Sequence, residues 1–348
     1  MPELRLLLFC LGCASSFAHA VEIEAIGPGA WAALQPDERR FNDCNSLIVA
    51  AEDFVIVVDA QENADDVRAI IEFARSEIHK PIRYLVNTHW HSDHTQGNSI
   101  YRATFGDDLI IIGHRSHLED IANRAAPYVQ ERVANIRKTL PAAREQLASG
   151  VKRDGTKFSS DELAAQRVRV EQAEAWADAN ENVQFTLPSI TIEEPYAVDA
   201  GAASFTVYPL RGHTRGDLIV HFAELGLLAT GDLVDEIPFS GHGYPEEWIA
   251  ALQAIDALPA GTLLPGHGKL LHDRTLLKKL DSYFTSLTSQ VTALVAEGKD
   301  LQTVQAEVDL SESRHLLAGE DATAGRFFDQ VQMDAIQRSF AEATHTIE

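Results

Sequence analysis

The sequence contains few cysteines. Of its 348 residues only three are cysteine, and two of these, Cys10 and Cys13, lie close to the N-terminus. Cys44 alone cannot close an internal disulfide once that segment is removed, so the stability must come from the hydrophobic core. A chain of this length can bury a large core as one domain with additions. Cys44 lies just before Ser46-Leu47-Ile48-Val49 and is predicted to be buried rather than reactive.

Basic residues are also scarce. The 29 Lys and Arg residues are outnumbered by 52 Asp and Glu residues, which gives a formal net charge of -23. A surface this negative repels a phosphate backbone, so nucleic acid is not expected as a partner or substrate. A small anionic substrate is not excluded, because bound metal cations can set the local field. The expected partner is a small-molecule substrate, and the sequence does not indicate the oligomeric state.

Long apolar runs are absent, since none reaches the roughly 20 residues that a membrane-spanning helix needs. Residues 1–20 instead have the pattern of a secretory signal peptide, with Arg5 at the positive end and an Ala-His-Ala cleavage site ending at Ala20. Cleavage there predicts a periplasmic or secreted protein without stable membrane insertion. A lipoprotein anchor at Cys13 is the alternative, although the residues before it form a poor lipobox.

Histidine and aspartate are concentrated in one short stretch, residues 88–94, directly after the strand-like run 82–86. Because side chains alternate along an extended backbone, His89 and His91 lie on one side and can bind one ion. Asp93 and His94 follow where the chain turns into a helix, and they point to a different position. One ion needs about four ligands, so further ligands must come from elsewhere in the chain.

Three more candidate ligands each follow a strand-like run and have a glycine beside them. They are His213 in Gly-His-Thr, Asp232 in Thr-Gly-Asp, and His267 in Pro-Gly-His-Gly. Glycine lets the backbone bend or approach an ion closely. Side chains at strand ends are suited to a site on the rim of a rigid scaffold.

The ordered motifs HxHxDH, GHT, TGD and PGHG resemble those of the metallo-β-lactamase superfamily, over roughly residues 25–270. The resemblance implies an α/β fold, a four-layer αββα sandwich, with two zinc ions at one rim. It assigns His89, His91 and His213 to the first zinc. It assigns Asp93, His94 and His267 to the second zinc, with Asp232 bridging the two ions. Asp59 matches the first motif of the superfamily and would orient a ligand from behind the site, the alternative being an ordinary turn residue.

The resemblance also implies the reaction. Two zinc ions sharing a water supply hydroxide, which attacks an electrophilic carbonyl, and Asp93 would accept a hydrogen bond from this nucleophile. The chain has no G-x-S-x-G motif that would indicate a serine nucleophile. β-Lactamases with a cysteine ligand place it near position 232, whereas an aspartate bridge is typical of glyoxalase II-like thioesterases and lactonases.

The sequence therefore predicts an exported dinuclear zinc hydrolase that cleaves an amide or ester-like bond of a small molecule, with β-lactamase-like activity ranked first. A thioester or lactone hydrolase is the alternative, similar to glyoxalase II or to the exported zinc hydrolases of quinoprotein and sulfur-oxidation systems. A di-iron redox protein would require a flavin domain, which is absent from the sequence. The full set of seven ligands argues against a non-catalytic metal-binding module.

Four segments are predicted along the chain: the signal peptide 1–20, the metallo-β-lactamase-like domain 21–270, a helical hairpin inserted at 115–182, and a helical C-terminal extension at 271–348. The hairpin is expected to contain a kink at Pro127 and a second helix over 160–180 that begins at Ser159 or Ser160. It is either a lid over the site or a structural, dimer-forming element.

The loop 239–244 opens near the metal in this fold. His242 and Tyr244 are its candidate substrate contacts, and a structural loop is the alternative. His79 is expected to be solvated. The other histidines are interpreted as structural, namely His114, His117, His221, His272, His315 and His345.

Overall fold

Two β-sheets form the centre of the structure, a computed structural model that describes residues 21–347. Seven strands of the first sheet lie in chain order, antiparallel from the first to the fourth and parallel from the fourth to the seventh. These strands are β1 Glu22–Gly27, β2 Ala30–Leu34, β3 Ser46–Ala50, β4 Val55–Val58, β5 Ile82–Val86, β6 Ile110–His114 and β7 Ile190–Ile192.

Five later strands form the second sheet. They are β8 Tyr196–Val198, β9 Phe205–Leu210, β10 Asp217–Phe222, β11 Leu227–Gly231 and β12 Thr262–Pro265. Strands β8 to β11 are antiparallel neighbours, and β12 pairs in parallel with β11 at the edge.

The two sheets pack face to face, and the alternation of side chains in β3 shows how. Leu47 and Val49 point into the layer between the sheets, where they meet the inner face of the second sheet, including Val207 and Val220. Ile48 points to the opposite side, toward the helices that cover the first sheet. A strand covered on both faces buries apolar side chains at every position, and each contributes about 1.5–3 kcal/mol.

Helices cover the outer face of each sheet, which gives the four αββα layers that the sequence predicted. The first sheet is covered by α1 Ala64–Phe73 and α3 Asn98–Phe105. A short helix, α2 Ser92–Thr95, precedes α3. The inserted helices are α4 His117–Asp120, α5 Ala126–Ser149 and α6 Ser160–Asn180. The second sheet is covered by α7 Pro245–Ala257, α8 Thr275–Ala296, α9 Leu301–Glu307, α10 Ser311–Ala318 and α11 Ala322–Ala343.

The inserted helices α5 and α6 form an antiparallel hairpin joined by ion pairs, such as that between Arg137 and Asp178 at 2.6 Å. Ser159 begins α6 with a capping box, in which its hydroxyl accepts from Glu162 N and its own N–H donates to the Glu162 carboxylate. Of the two candidate caps, Ser159 is therefore the one used. A π turn, Ile121–Ala125, lies just before Pro127, and Pro127 occupies the first turn of α5.

The signal peptide predicted at residues 1–20 and the lipoprotein alternative at Cys13 lie outside the described residues. Within residues 21–347, no helix is long and apolar enough to cross a membrane. Cys44 is fully buried, as predicted.

Candidate metal centre

Four loops at one edge of the sandwich carry the candidate ligands. His89 and His91 lie in the loop after β5, and Asp93 and His94 lie in the short helix α2. His213 lies between β9 and β10, while Asp232 and His267 directly follow β11 and β12. The structure brings all seven predicted ligands together in two groups.

The first group contains His89, His91, His213 and Asp232, with donor atoms within 4.8 Å of one another. His91 Nδ1 lies 3.0 Å from both His89 Nε2 and His213 Nε2. Asp232 Oδ2 lies 3.3 Å from His213 Nε2 and 3.6 Å from His89 Nε2. A tetrahedral zinc ion with bonds of about 2.0–2.1 Å places its ligand atoms roughly 3.4 Å apart, which matches these separations.

The second group contains Asp93, His94 and His267. Asp93 Oδ2 lies 3.2 Å from His267 Nε2 and 3.5 Å from His94 Nε2. The Asp232 carboxylate connects the two groups, because its other oxygen, Oδ1, lies 3.1 Å from His94 Nε2. One carboxylate therefore presents an oxygen to each group, which is the geometry a bridging ligand requires.

Two buried atoms in the centre support a cation between the groups. Among residues 21–347, His94 Nε2 and Asp232 Oδ1 are buried and face each other at 3.1 Å, but neither atom makes a hydrogen bond. Buried polar atoms that lack a partner cost about 1–3 kcal/mol each, so such atoms require an explanation. Gly266 adds to the fit, because a Cβ there would collide with Asp232 Oδ1. The residues present therefore fit a pair of metal ions.

Charges in the centre divide the histidines into two kinds. Burial lowers the pKa values of His89, His91 and His213, which keeps these imidazoles neutral and able to bind metal. Burial also acts against protonation of His94 and His267, yet the Asp232 carboxylate and its acidic neighbours raise their pKa values well above the ordinary value. The carboxylates therefore stabilise positive charge in the second group. A bound cation would supply that charge in place of protons on His94 and His267.

Asp59 lies behind the second group. Its carboxylate accepts hydrogen bonds from Thr88 N at 2.7 Å and from Thr88 Oγ1 at 2.9 Å. The same carboxylate lies 2.9 Å from His94 Nδ1. A proton held on Nδ1 leaves the lone pair of His94 Nε2 directed at the centre. His213 is held in the same manner, by the contact of its Nδ1 with the Phe239 carbonyl at 2.9 Å.

Sequence reasoning missed two buried carboxylates near the ligands. Asp217 accepts hydrogen bonds from Thr214 N at 3.0 Å and Thr214 Oγ1 at 2.6 Å, which fixes the loop that carries His213. Asp235 accepts from His267 N at 3.0 Å. Burial raises the pKa of Asp217 to about 7 and that of Asp235 well above its ordinary value. In the sequence, each aspartate lies three or four residues after a candidate ligand. This spacing was the available signal for Asp217 and Asp235, and it is not specific for a role beside a metal centre.

The loop 239–244 lies beside the first group. His242 Nδ1 is 2.9 Å from His91 Nε2, and burial lowers the pKa of His242 to about 4. The Tyr244 side chain is 2% exposed and lies under the Arg211 guanidinium, whose carbon is 3.8 Å from the ring centroid. Substrate contact through His242 or Tyr244 stays a prediction.

Other histidines have structural contacts. His117 accepts from His114 N at 3.1 Å through Nδ1, so its Nε2 donates to the Gly216 carbonyl at 2.7 Å. His221 Nε2 lies 2.9 Å from the Pro259 carbonyl.

The chain belongs to the metallo-beta-lactamase superfamily, whose family profile matches residues 39–267, well over half of the sequence. The superfamily consists mostly of hydrolases, and this chain carries the superfamily's fold together with candidate metal-binding His and Asp groups.

Solved structures share the fold at low sequence identity. The metallo-β-lactamase FIM-1 from Pseudomonas aeruginosa, in its mono-zinc form, is 18% identical with a TM-score of 0.51, covering 77% of this chain and 96% of its own. The stereoselective inverting sec-alkylsulfatase Pisa1 from Pseudomonas sp. is 17% identical with a TM-score of 0.61, covering 91% of this chain. The match spans 50% of the alkylsulfatase chain, so this chain corresponds to about half of it. No curated protein sequence matches.

Proposed function

We propose that the chain is an exported, dinuclear zinc hydrolase that cleaves an amide or ester-like bond of a small molecule. The observation that carries the proposal is the Asp232 carboxylate, which presents Oδ2 to one histidine group and Oδ1 to His94 of the other. A single ion would use only one of these groups. The shared aspartate and the complete donor sets support two ions a short distance apart.

His89, His91 and His213 would hold the first ion, and Asp93, His94 and His267 the second, with Asp232 between them. When bound, two zinc ions lower the pKa of a shared water and polarise the substrate carbonyl. Asp93 is placed to orient that water, because its carboxylate is 20% exposed and contacts both His94 and His267. His94 and His267 hold the pKa of Asp93 below its ordinary value despite its burial, so it acts as a hydrogen-bond acceptor.

The aspartate bridge alone does not select one substrate class. β-Lactamase-like activity remains the first candidate, because export suits an enzyme that acts on antibiotics or periplasmic metabolites. The aspartate at position 232 favours a thioester or lactone as the second candidate. The likeness to the alkylsulfatase extends over 91% of this chain, which adds a secondary alkyl sulfate to the substrates worth testing.

Metal analysis and a substrate panel test the proposal. We expect about two zinc ions per purified chain, with less in His89→Ala and Asp232→Ala, and wild-type content in the control His315→Ala. Turnover of a β-lactam, a lactone, a thioester or an alkyl sulfate should stop with a chelator and return with zinc. A folded, metal-free wild type would contradict the dinuclear site, and iron at full occupancy would favour the redox alternative. Mass analysis of periplasmic protein tests cleavage after Ala20.

A further inference from the structure

One loop contacts two histidines of the first metal group from outside. The loop is residues 239–244, and its Phe239 carbonyl lies 2.9 Å from His213 Nδ1. Three residues later, His242 Nδ1 lies 2.9 Å from His91 Nε2. A carbonyl can only accept a hydrogen bond, whereas a ring nitrogen can donate or accept one. The contact between His242 and His91 therefore has two possible directions.

The other nitrogen of His91 decides that direction. His91 Nδ1 lies 3.0 Å from both His89 Nε2 and His213 Nε2, so Nδ1 is the nitrogen that faces the first group. A nitrogen that binds a metal ion carries no proton, and a neutral imidazole has one N–H. When His91 binds metal, its proton is therefore on Nε2, and Nε2 donates to His242 Nδ1.

Aromatic packing holds the His242 ring in this position. Its centroid lies 4.9 Å from that of Trp90 and 5.8 Å from that of Phe239. Trp90 is itself buried in a cluster with Ile121 and Ala125, in the first turns of the helical insertion. The His242 side chain is half-buried, so turning its ring away from His91 would disrupt this packing.

Hydrogen bonds fix the backbone around His242. Gly243 N donates to the Ser240 carbonyl at 2.9 Å, which closes a turn around the histidine. Arg338 of α11 donates from Nε to the Gly243 carbonyl at 2.7 Å. The acceptor for His91 is therefore held by this turn and by the C-terminal extension as well as by the aromatic packing.

We propose that His242 is a positioning residue of the first metal group, whose Nδ1 accepts a hydrogen bond from His91 Nε2. The contact keeps the His91 proton on Nε2 and leaves the Nδ1 lone pair directed at the group. Without this acceptor the proton gains a partner by moving to Nδ1, because Nε2 of His89 and of His213 lies 3.0 Å away. Metal binding would then have to displace that proton. The inference rests on the proposed metal centre, and it leaves Nε2 of His242 for the predicted substrate contact.

Two substitutions separate the acceptor from the ring. His242→Phe keeps an aromatic ring beside Trp90 and Phe239 but has no acceptor, whereas His242→Asn keeps an acceptor, because its amide oxygen is bonded to Cγ as Nδ1 is. In competition titration with a chromophoric chelator, His242→Phe should bind the first zinc roughly 10- to 100-fold more weakly. His242→Asn should retain most of the wild-type affinity. His114→Phe is the matched control and should bind zinc as wild type does, because His114 is half-buried but contacts Ser116 instead of a candidate ligand.

Nuclear magnetic resonance locates the His91 proton without metal. Long-range proton–nitrogen correlation spectra of metal-free protein with nitrogen-labelled histidine distinguish the two tautomers, and the signals lost in His91→Gln assign His91. Wild type and His242→Asn should carry the proton on Nε2. In His242→Phe a substantial share of it should move to Nδ1, a change that packing of the His242 ring alone would not cause.

The outcomes separate this inference from the metal centre itself. If wild type binds no zinc but His242→Phe still moves the His91 proton, the metal proposal fails and the positioning role stands. Unchanged zinc affinity in His242→Phe would overturn the role. Equal losses in His242→Phe and His242→Asn would also overturn it, because the acceptor is then not what matters. If circular dichroism shows that His242→Phe does not fold, His242→Leu takes its place with the same expectations.

Discussion

Replacement of Asp59 by asparagine should weaken the second metal group while leaving the first intact. Asp59 has a left-handed backbone, with φ of 66°, which asparagine tolerates as well as aspartate does. The substitution therefore changes the hydrogen bonding without adding backbone strain. Its effect depends on which way the new amide points.

The amide oxygen is best placed on Thr88 N, which now donates to Asp59 Oδ1 at 2.7 Å. The amide NH2 then occupies the position of Oδ2, which faces His94 Nδ1 at 2.9 Å. Two donors cannot face each other, so the His94 proton must move to Nε2. That atom lies 3.1 Å from Asp232 Oδ1 and is the one that would bind metal.

We expect Asp59→Asn to bind one zinc ion as wild type does, through the first group, and the second roughly 10- to 100-fold more weakly. This corresponds to about 1.4–2.8 kcal/mol, the usual effect of losing a residue that orients a metal-binding histidine. Competition titration with a chromophoric chelator measures the two affinities separately. Asp66→Asn is the matched control, because Asp66, in the first turn of α1, is equally buried but accepts from Val21 N instead of contacting a candidate ligand.

Wild-type affinity for both ions in Asp59→Asn would refute the tautomer argument. Equal weakening of both ions would also refute it, because Asp59 contacts His94 directly but reaches His89 of the first group only through Thr88 Oγ1. Loss of folding in Asp59→Asn but not in Asp66→Asn would show instead that Asp59 mainly stabilises the loop.

Three further changes test separate features. Gly266→Ala places a Cβ against Asp232 Oδ1 and should remove bound zinc, whereas Gly261→Ala, whose Cβ would meet only a backbone oxygen 4.0 Å away, should not. Burial raises the pKa of Glu342 from 4.5 to about 7. The folded state therefore holds this proton more tightly than the unfolded state, and stability falls as pH rises between those two values. Glu342→Gln should flatten that decline in urea unfolding, and an unchanged slope would contradict the assignment. Ser159→Ala removes the cap of α6 and should lower the free energy of unfolding by about 0.5–2 kcal/mol in the same assay. An unchanged free energy of unfolding would mean that the first turn of α6 is already frayed in the wild type.

The layers and the convergence of the seven candidate ligands could be predicted because their signals are local. Apolar residues 55–58 at consecutive positions indicate a strand covered on both faces, and a histidine pair two residues apart indicates one shared ion. Asp217 and Asp235 could not be found in this way, since their roles depend on which backbone N–H a folded loop presents to them. The π turn before Pro127 could not be predicted either. The proline shows that a helix is interrupted there, but the sequence does not show the backbone geometry of the preceding residues.

The C-terminal extension illustrates why the substrate was harder to predict than the metal centre. Its apolar stripe indicated packing alone, yet Arg338 of α11 donates to the Gly243 carbonyl at 2.7 Å, and its guanidinium carbon lies 5.0 Å from the Tyr244 ring centroid. These contacts fix the loop in which His242 touches His91. The scaffold determines where the ligands lie, whereas the insertion and the extension determine what surrounds them. Residues that border the centre therefore occur in segments whose sequence pattern indicates only helix packing.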